Sequence, residues 1–477
     1  MRPQSATLGS YLGKSPGPTK DRTTLSYEQP READGSASIS LSHIAHIWWP
    51  LAVSWLLMTV EGPAHSAIVA RLPLPEINLA AWGGIVFPVS LIIESPVVML
   101  LSASTAYARD WDAYRRLRRI AITLGSIFTG LHIAVAFTPL YDLVARDIIG
   151  APASILEPGR IGLMIMTPWT WAIAYRRFQQ GAMIRFGQTR AVGVGTAVRL
   201  TANALVLAAG YLHGRIPGII VASTAVAVGV VAEAIYAGLR IRPIVRAQIR
   251  LAPREPAPFT NREFLSFYIP LALTSLITFF VSPVGSAAMS RMPNALSSLA
   301  VWPVVNGLIF VLRSPGLAYN EVVVALLDDA RSFPALRRFA TLLGAALTTI
   351  MLVVVLTPLS TLWLSSVMAL PDDLLALGEQ TLLFALGLPL LALLQSWYQG
   401  IIVNSRKTRG ITESVMLYMG VMVLLFGAGV LAQRVTGLVV AVAGMSVAGL
   451  VQVVWLRRRS SPAVRVLTAA EPINASD

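Results

Sequence analysis

WPLAVSWLLMTVEGPAHSAIVARLPLPEINLAAW, residues 49–82, recurs without a gap as IPLALTSLITFFVSPVGSAAMSRMPNALSSLAVW, residues 269–302. The shift of 220 residues brings Pro50 onto Pro270, Pro63 onto Pro283, Ser66 onto Ser286, Arg71 onto Arg291 and Trp82 onto Trp302. After a one-residue slip the shift is 219. Leu117-Arg118-Arg119 then falls on Leu336-Arg337-Arg338, Thr138-Pro139-Leu140 on Thr357-Pro358-Leu359, and Gln180-Gly181 on Gln399-Gly400. Shared helix composition does not hold matches in register over about 190 residues, so the chain is an internal duplication.

The repeated unit is apolar. The 477 residues are 55% hydrophobic and 13% charged, with a mean hydropathy of +0.65, where a soluble domain carries roughly a quarter of its residues as charges. Runs of about twenty apolar residues recur, each long enough to cross a ~30 Å hydrocarbon core as a helix. Runs such as VASTAVAVGVVAEAIYAG, residues 221–238, do not alternate, which excludes a membrane β-barrel. The fold class is therefore an all-α polytopic membrane protein of twelve transmembrane helices. In the first half the spans lie near 47–69, 79–106, 120–143, 160–176, 191–211 and 217–238. In the second they lie near 266–288, 299–326, 339–363, 376–398, 411–431 and 436–456. Six is even, so the two six-helix repeats are parallel, with their axis along the membrane normal. The chain divides into a polar tail (1–43), a first lobe (44–238), a basic linker (239–265), a second lobe (266–457) and a second tail (458–477).

The net charge of +14 does not point to nucleic acid, because the basic residues cluster in short segments between apolar runs. That is the pattern of cytoplasmic loops, and it places both termini and the linker in the cytosol, in the cell (inner) membrane. With no cysteine, disulfides and thiolate chemistry are excluded. No phosphate-binding loop, His-Glu-x-x-His or nucleophile elbow is present, and the outer loops are short, so the reading is not an enzyme. The acidic pairs Asp328-Asp329 and Asp372-Asp373 read as solvated span ends rather than metal sites.

Twelve helices in two parallel halves resemble the multidrug/oligosaccharidyl-lipid/polysaccharide (MOP) exporter superfamily, with its MATE-like fold. The segments RRFQQGAMIRFGQTRA (176–191) and SWYQGIIVNSRKTRG (396–410) carry the likeness, and IWWPLAV, SPVGSAAMSR and LAVWPV look closest to its progressive-ankylosis (ANK)-like branch. The resemblance implies a secondary transporter moving a small organic or phosphorylated anion by alternating access of the two lobes. Flipping of lipid-linked oligosaccharide and multidrug antiport are the superfamily's other activities. A non-transporting membrane scaffold or enzyme is the reading of another class. The implied partners are membrane lipids and the small-molecule anion, with a monomeric chain, no cofactor, and H+ or Na+ coupling. Where drug antiporters carry an aspartate in the first span, this chain has Glu61.

Ionisable groups at membrane depth mark pathways, pairs or relays. Glu94 lies about fifteen residues into the second span, roughly 22 Å along a helix. Pro96 leaves the carbonyl of Ile92 without its helical partner. Arg313 and Pro315 repeat the arrangement, freeing the carbonyl of Val311, and Glu321 follows two turns on. These groups read either as opposite walls of one cavity, Glu94 facing Arg313, or as a structural ion pair. Glu61, beside Gly62 and Pro63, reads as a cation or proton site or as a cap on a broken helix. His65 is a candidate relay or a packing residue, and Asn203 an interhelical hydrogen bonder. His132 reads as structural, and Arg199 and Glu233 as snorkelling or locally paired. The Gln-Gly and Thr-Arg segments read as helix caps that contact lipid phosphates.

Overall fold

The computed structural model describes residues 39–254, 259–327, 329–405 and 409–469. Among them are twelve long helices. Six form the first half: α1 (Leu41–Ala70), α2 (Pro75–Tyr107), α3 (Trp111–Phe137), α4 (Ala153–Arg185), α5 (Thr189–His213) and α6 (Gly218–Ile249). The second half repeats them as α7 (Asn261–Ser290), α8 (Ala295–Leu326), α9 (Ala330–Leu356), α10 (Asp372–Leu383 with Leu388–Asn404), α11 (Arg409–Ala432) and α12 (Gly437–Thr468). Ten are apolar and long enough to cross a membrane unaided. α10 crosses as a pair bent by 43°, where Pro389 removes a backbone donor just after Gly387. In α4, Pro168, Thr170 and Arg176 interrupt the apolar run.

Several helices outrun the apolar segments that announce them. α3 starts at Trp111, capped by the Asp110 side chain on the amide of Ala113 at 2.8 Å. α6 runs on to Ile249, so helix occupies the beginning of the segment read as linker. The last helix continues past residue 458. Hydropathy reports the part of a helix in hydrocarbon, not the charged turns beyond it. The polar tail up to residue 38 lies outside the described residues. The linker re-enters helix at a capping box, Thr260 with Glu263.

The duplication is visible in the backbone. Left-handed residues occur in register: Leu74 (φ 54) with Asn294 (φ 55), Gly150 (φ 72) with Ala369 (φ 50), and Gly214 (φ 69) with Gln433 (φ 49). Both second helices break about one turn after their charged residue, Glu94 or Arg313: α2 at Met99 and α8 at Ala318. The carbonyls freed by Pro96 and Pro315 are not left to a cavity. The Ser95 hydroxyl donates to the carbonyl of Ile92 at 2.8 Å, and Ser314 donates to that of Val311 at 2.8 Å. Glu-Ser-Pro and Arg-Ser-Pro are thus one kink motif whose serine restores the bond its proline removes.

Each half packs around its own α2–α4–α6 or α8–α10–α12 core. The halves exchange their first helices: α1 lies against α8 and α9, and α7 against α2. The outer parts of α2 and α8 meet closely, and a Cβ at Gly83 would sit 2.9 Å from Pro303. Large apolar side chains such as Leu205, Leu212, Leu424 and Leu431 are exposed on the flanks, as a lipid-facing belt requires.

Candidate functional site

The first half contains a network of charged side chains inside the helix bundle. α1 breaks at Val60 because Pro63 supplies no amide to the preceding turn, and Glu61 opens the outer segment. Its two carboxylate oxygens accept from α5: Oε2 from Arg199 Nη1, and Oε1 from Asn203 Nδ2 at 2.8 Å. Arg199 Nε lies 3.3 Å from Glu233 Oε2 of α6. Glu233 is fully buried and also accepts from two residues of α4, Arg176 Nη1 at 2.5 Å and Gln180 Nε2 at 2.8 Å. Glycines make the room: a Cβ at Gly229 would meet the Arg199 carbonyl at 3.0 Å. Four helices are thereby tied by a chain of alternating sign, Glu61–Arg199–Glu233–Arg176.

Glu94 of α2 adjoins this chain without joining it. It is buried, its Oε2 has no hydrogen-bond partner, and the charges acting on it are Arg176 and Arg177. Arg177 likewise has an unpartnered Nε. His65 stands beside Glu61, where its Nδ1 donates to the Glu61 carbonyl at 2.7 Å and its ring stacks on Trp82 at 5.9 Å. Its Nε2 is buried without a partner. His132, with Thr170 and the Leu163 carbonyl as partners at 3.0 and 2.9 Å, is structural.

The second half carries the same positions with different chemistry. By the shift of 219 residues, Gln395 stands for Arg176, Tyr418 for Arg199, Met422 for Asn203 and Gln452 for Glu233. Glu61 becomes Val281 by the shift of 220. The buried charges are gone, and Gln452 donates only to the Ser414 hydroxyl, at 3.4 Å. Arg313, the counterpart of Glu94, remains. Its Nε is buried and unpartnered, Tyr418 is the titratable group that acts on it, and no carboxylate pairs with it among the described residues.

Six residues were expected at the site. The structure brings Glu61, His65 and Asn203 together, sets Glu94 near Arg176 and Arg177, and holds Arg313 in the other half. Arg176 and Arg177 act on Glu94 and Tyr418 acts on Arg313, each from its own half, and no ion pair joins Glu94 to Arg313 among the described residues. Glu321 is elsewhere again, its Oε1 accepting from Trp55 Nε1 of α1 at 3.3 Å across the seam between the halves. Arg199 and Glu233 do not snorkel. Arg176 and Arg177 lie inside α4, which continues to Arg185. The Gln-Gly segments pack helices instead of capping them, since a Cβ at Gly181 would lie 2.3 Å from the Leu101 carbonyl and one at Gly400 would lie 2.6 Å from Val323. Asp329 bonds Arg331 at 3.1 Å, and Asp372 and Asp373 open a helix. Asp328 lies outside the described residues.

One set of polar contacts across the seam obeys the repeat. At the outer ends, Arg71 donates to the carbonyls of Ser366 and Val367 at 2.6 and 3.0 Å. Arg291 donates to those of Asp147, Ile148 and Ile149 at 3.0, 2.8 and 2.7 Å. Each arginine thus closes on the π-helical turn of the opposite half.

No protein-family model matches the sequence, and no curated protein is similar to it in sequence. Solved structures match along nearly the whole chain. A multidrug resistance MATE family transporter of the MOP superfamily, inward-facing, aligns with a TM-score of 0.63 at 15% identity, over 87% of this chain and 98% of that one. The lipid II flippase MurJ, inward closed, aligns with a TM-score of 0.68 at 14% identity, over 90% and 94%. A MOP superfamily transporter from Pyrococcus furiosus, reported for the reverse polarity of its binding pocket, aligns with a TM-score of 0.58 at 15% identity, over 90% and 97%. Two parallel six-helix halves with in-register kinks, read with these alignments, give this multi-pass membrane chain the fold of the MOP-superfamily transporters.

Proposed function

We propose that the protein is a secondary transporter that moves a small organic or phosphorylated anion by alternating access of its two halves. The seam supports the mechanism. Its polar contacts include symmetric sets at the outer ends and at the kinks, which a rocking motion can break at one end while keeping the other. Arg313 carries the substrate reading: a guanidinium at membrane depth, without a carboxylate partner among the described residues, in the half whose equivalent network is neutral. Such a group is costly unless something anionic meets it, and its fork suits carboxylate or phosphate.

In the first half, Glu61 and Glu94 are the coupling groups. Glu61 is held by Arg199 and Asn203, and a proton or Na+ arriving there competes with Arg199 for the same oxygens. Arg199 then swings its charge toward Glu233. The basic segments support a cytoplasmic location for both termini, and the ANK-like likeness at the first and seventh spans agrees with an anionic cargo.

Comparing the anionic metabolites released by cells carrying the wild-type chain or Arg313→Gln tests this reading. The expected result is loss of at least one released anion. Unchanged release of every anion, together with altered cell-surface glycan, would replace it with a lipid-linked saccharide flippase.

A further inference from the structure

We propose that the cytoplasmic end of the first half holds a second anion site, separate from the seam, which binds a phosphate group. A cavity of about 280 Å³ opens between the inner ends of α3, α4 and α6. Four arginines line it: Arg118 from α3, and Arg242, Arg246 and Arg250 from successive turns at the end of α6. No Asp or Glu contributes to its wall. The nearby Asp112 is turned toward Arg254, at 3.7 Å. None of the four arginines has a carboxylate partner among the described residues.

The floor is built rather than incidental. Tyr114 and Gln179 are buried there, and the Tyr114 hydroxyl donates to Gln179 Oε1 at 2.8 Å, leaving the amide nitrogen as a donor. Trp111 stacks on Tyr114 at 5.8 Å and carries the Arg250 guanidinium over its ring at 4.7 Å, which fixes one of the four cations by cation–π attraction. Gly238 lets Tyr175 close the wall, since a Cβ there would lie 2.7 Å from the tyrosine oxygen.

Four exposed arginines around a polar floor are suited to the oxygens of a phosphate, which accept paired N–H donors. The volume lies just under the ~300 Å³ at which pockets begin to hold drug-sized ligands. The cavity therefore has room for a headgroup or a small phosphorylated ion. It sits at the membrane edge on the basic side of the protein, where a phospholipid headgroup is at hand. It also lies where the chain leaves α6 for the second half. Arg116, on the same turn of α3, holds the far end of that connector through the Phe259 carbonyl at 2.6 Å and Asn261 Oδ1 at 2.8 Å. A bound phosphate would bridge α3, α4 and the start of the connector.

The full chain in nanodiscs of equal phosphatidylglycerol and phosphatidylcholine, examined by native mass spectrometry, tests the site. The wild type should retain phosphatidylglycerol over phosphatidylcholine, and Arg242→Gln/Arg246→Gln should weaken that retention about tenfold or more. Arg457→Gln/Arg458→Gln, which removes the same charge from α12 outside the cavity, should leave it unchanged. Inorganic phosphate and glycerol phosphate, added to delipidated protein in a thermal-shift assay, distinguish the source. Stabilisation lost in the cavity variant but kept in the α12 variant assigns a soluble phosphate, while stabilisation by lipid alone assigns the headgroup. If the double variant fails to fold, Arg246→Gln alone serves, because its side chain has no ion pair to break. Equal loss in both variants, or equal retention of the two lipids with no response to phosphate, would overturn the proposal.

Discussion

Trp48 and Tyr268, 220 residues apart, make the same hydrogen bond in opposite directions across the molecule. Trp48 Nε1 donates to the Pro315 carbonyl at 3.0 Å, and the Tyr268 hydroxyl donates to the Pro96 carbonyl at 2.7 Å. Each acceptor belongs to the proline of a Glu-Ser-Pro or Arg-Ser-Pro kink in the other half. The kink thus does two jobs: it bends the second helix, and it presents a carbonyl to the first helix of the partner repeat. The first helices couple the buried charges of one half to the position of the other, because anything that straightens α2 or α8 withdraws that acceptor.

The outer seam should open when its arginines are removed. Arg71 makes two cross-seam bonds and Arg291 three. A hydrogen bond from a charged donor contributes about 1.5–3 kcal/mol, so one lost bond shifts a two-state equilibrium roughly tenfold or more. Ser286, 1% exposed and 3.5 Å from the Gly83 carbonyl, is the reporter. The chain has no cysteine, so Ser286→Cys is a unique label site. In Arg71→Ala/Arg291→Ala, a membrane-impermeant maleimide should react with it about tenfold faster. An unchanged rate would show that these arginines do not hold the seam.

The serine of the kink motif should matter only while its proline is present. Ser95→Ala leaves the Ile92 carbonyl unpaired in a buried helix, at a cost of about 1–3 kcal/mol. In a Pro96→Ala background the new amide takes that carbonyl, and the same substitution should cost close to nothing. The cycle is read from thermal unfolding in detergent, and Ser314 with Pro315 provides its twin. Equal costs in both backgrounds would mean that Ser95 acts through some other contact.

The repeat, the twelve helices and both kinks could be read from sequence because prolines and apolar runs act locally. The charge network could not, for two physical reasons. Arg176 closes an apolar run, so counting charges assigns it to the cytosol. Only the continuation of α4 to Arg185 puts it inside the bundle. Glu94 and Arg313 invited pairing because they are equivalent in position and opposite in sign. Residues related by a pseudo-two-fold occupy equivalent places in their own halves, and meet only if they lie on the axis. The usable signal lay in the repeat itself, where Arg176, Arg199 and Glu233 all fall on polar residues, Gln395, Tyr418 and Gln452.

Removing Arg199 should be worse than removing it together with Glu61. Alone, Arg199→Met strands Glu61 and takes one cation from the fully buried Glu233, and breaking a buried pair costs about 3–5 kcal/mol. Arg199→Met/Glu61→Gln removes the stranded charge and should recover a large part of the loss in thermal stability. Transport would separate from stability here, because Glu61→Gln alone should fold yet lose its response to a proton or Na+ gradient. Strict additivity of the two single substitutions would mean that the ion pair carries no coupling energy.

The asymmetry between the halves can be tested by writing the first half's charge logic into the second. Arg176 acts on Glu94 in the first half, so a carboxylate at the equivalent half-buried Gln395 should stand near Arg313. Gln395→Glu would then give Arg313 the partner it lacks. Thermal stability should hold or rise, since both charges are compensated. Anion export should fall about as far as in Arg313→Gln, roughly tenfold or more for one lost charged hydrogen bond. Gln395→Met, which brings no charge, should leave export nearly intact. If Gln395→Glu exported like the wild type while remaining folded, Arg313 would not be meeting the substrate, and the anion would have to be recognised elsewhere in the seam.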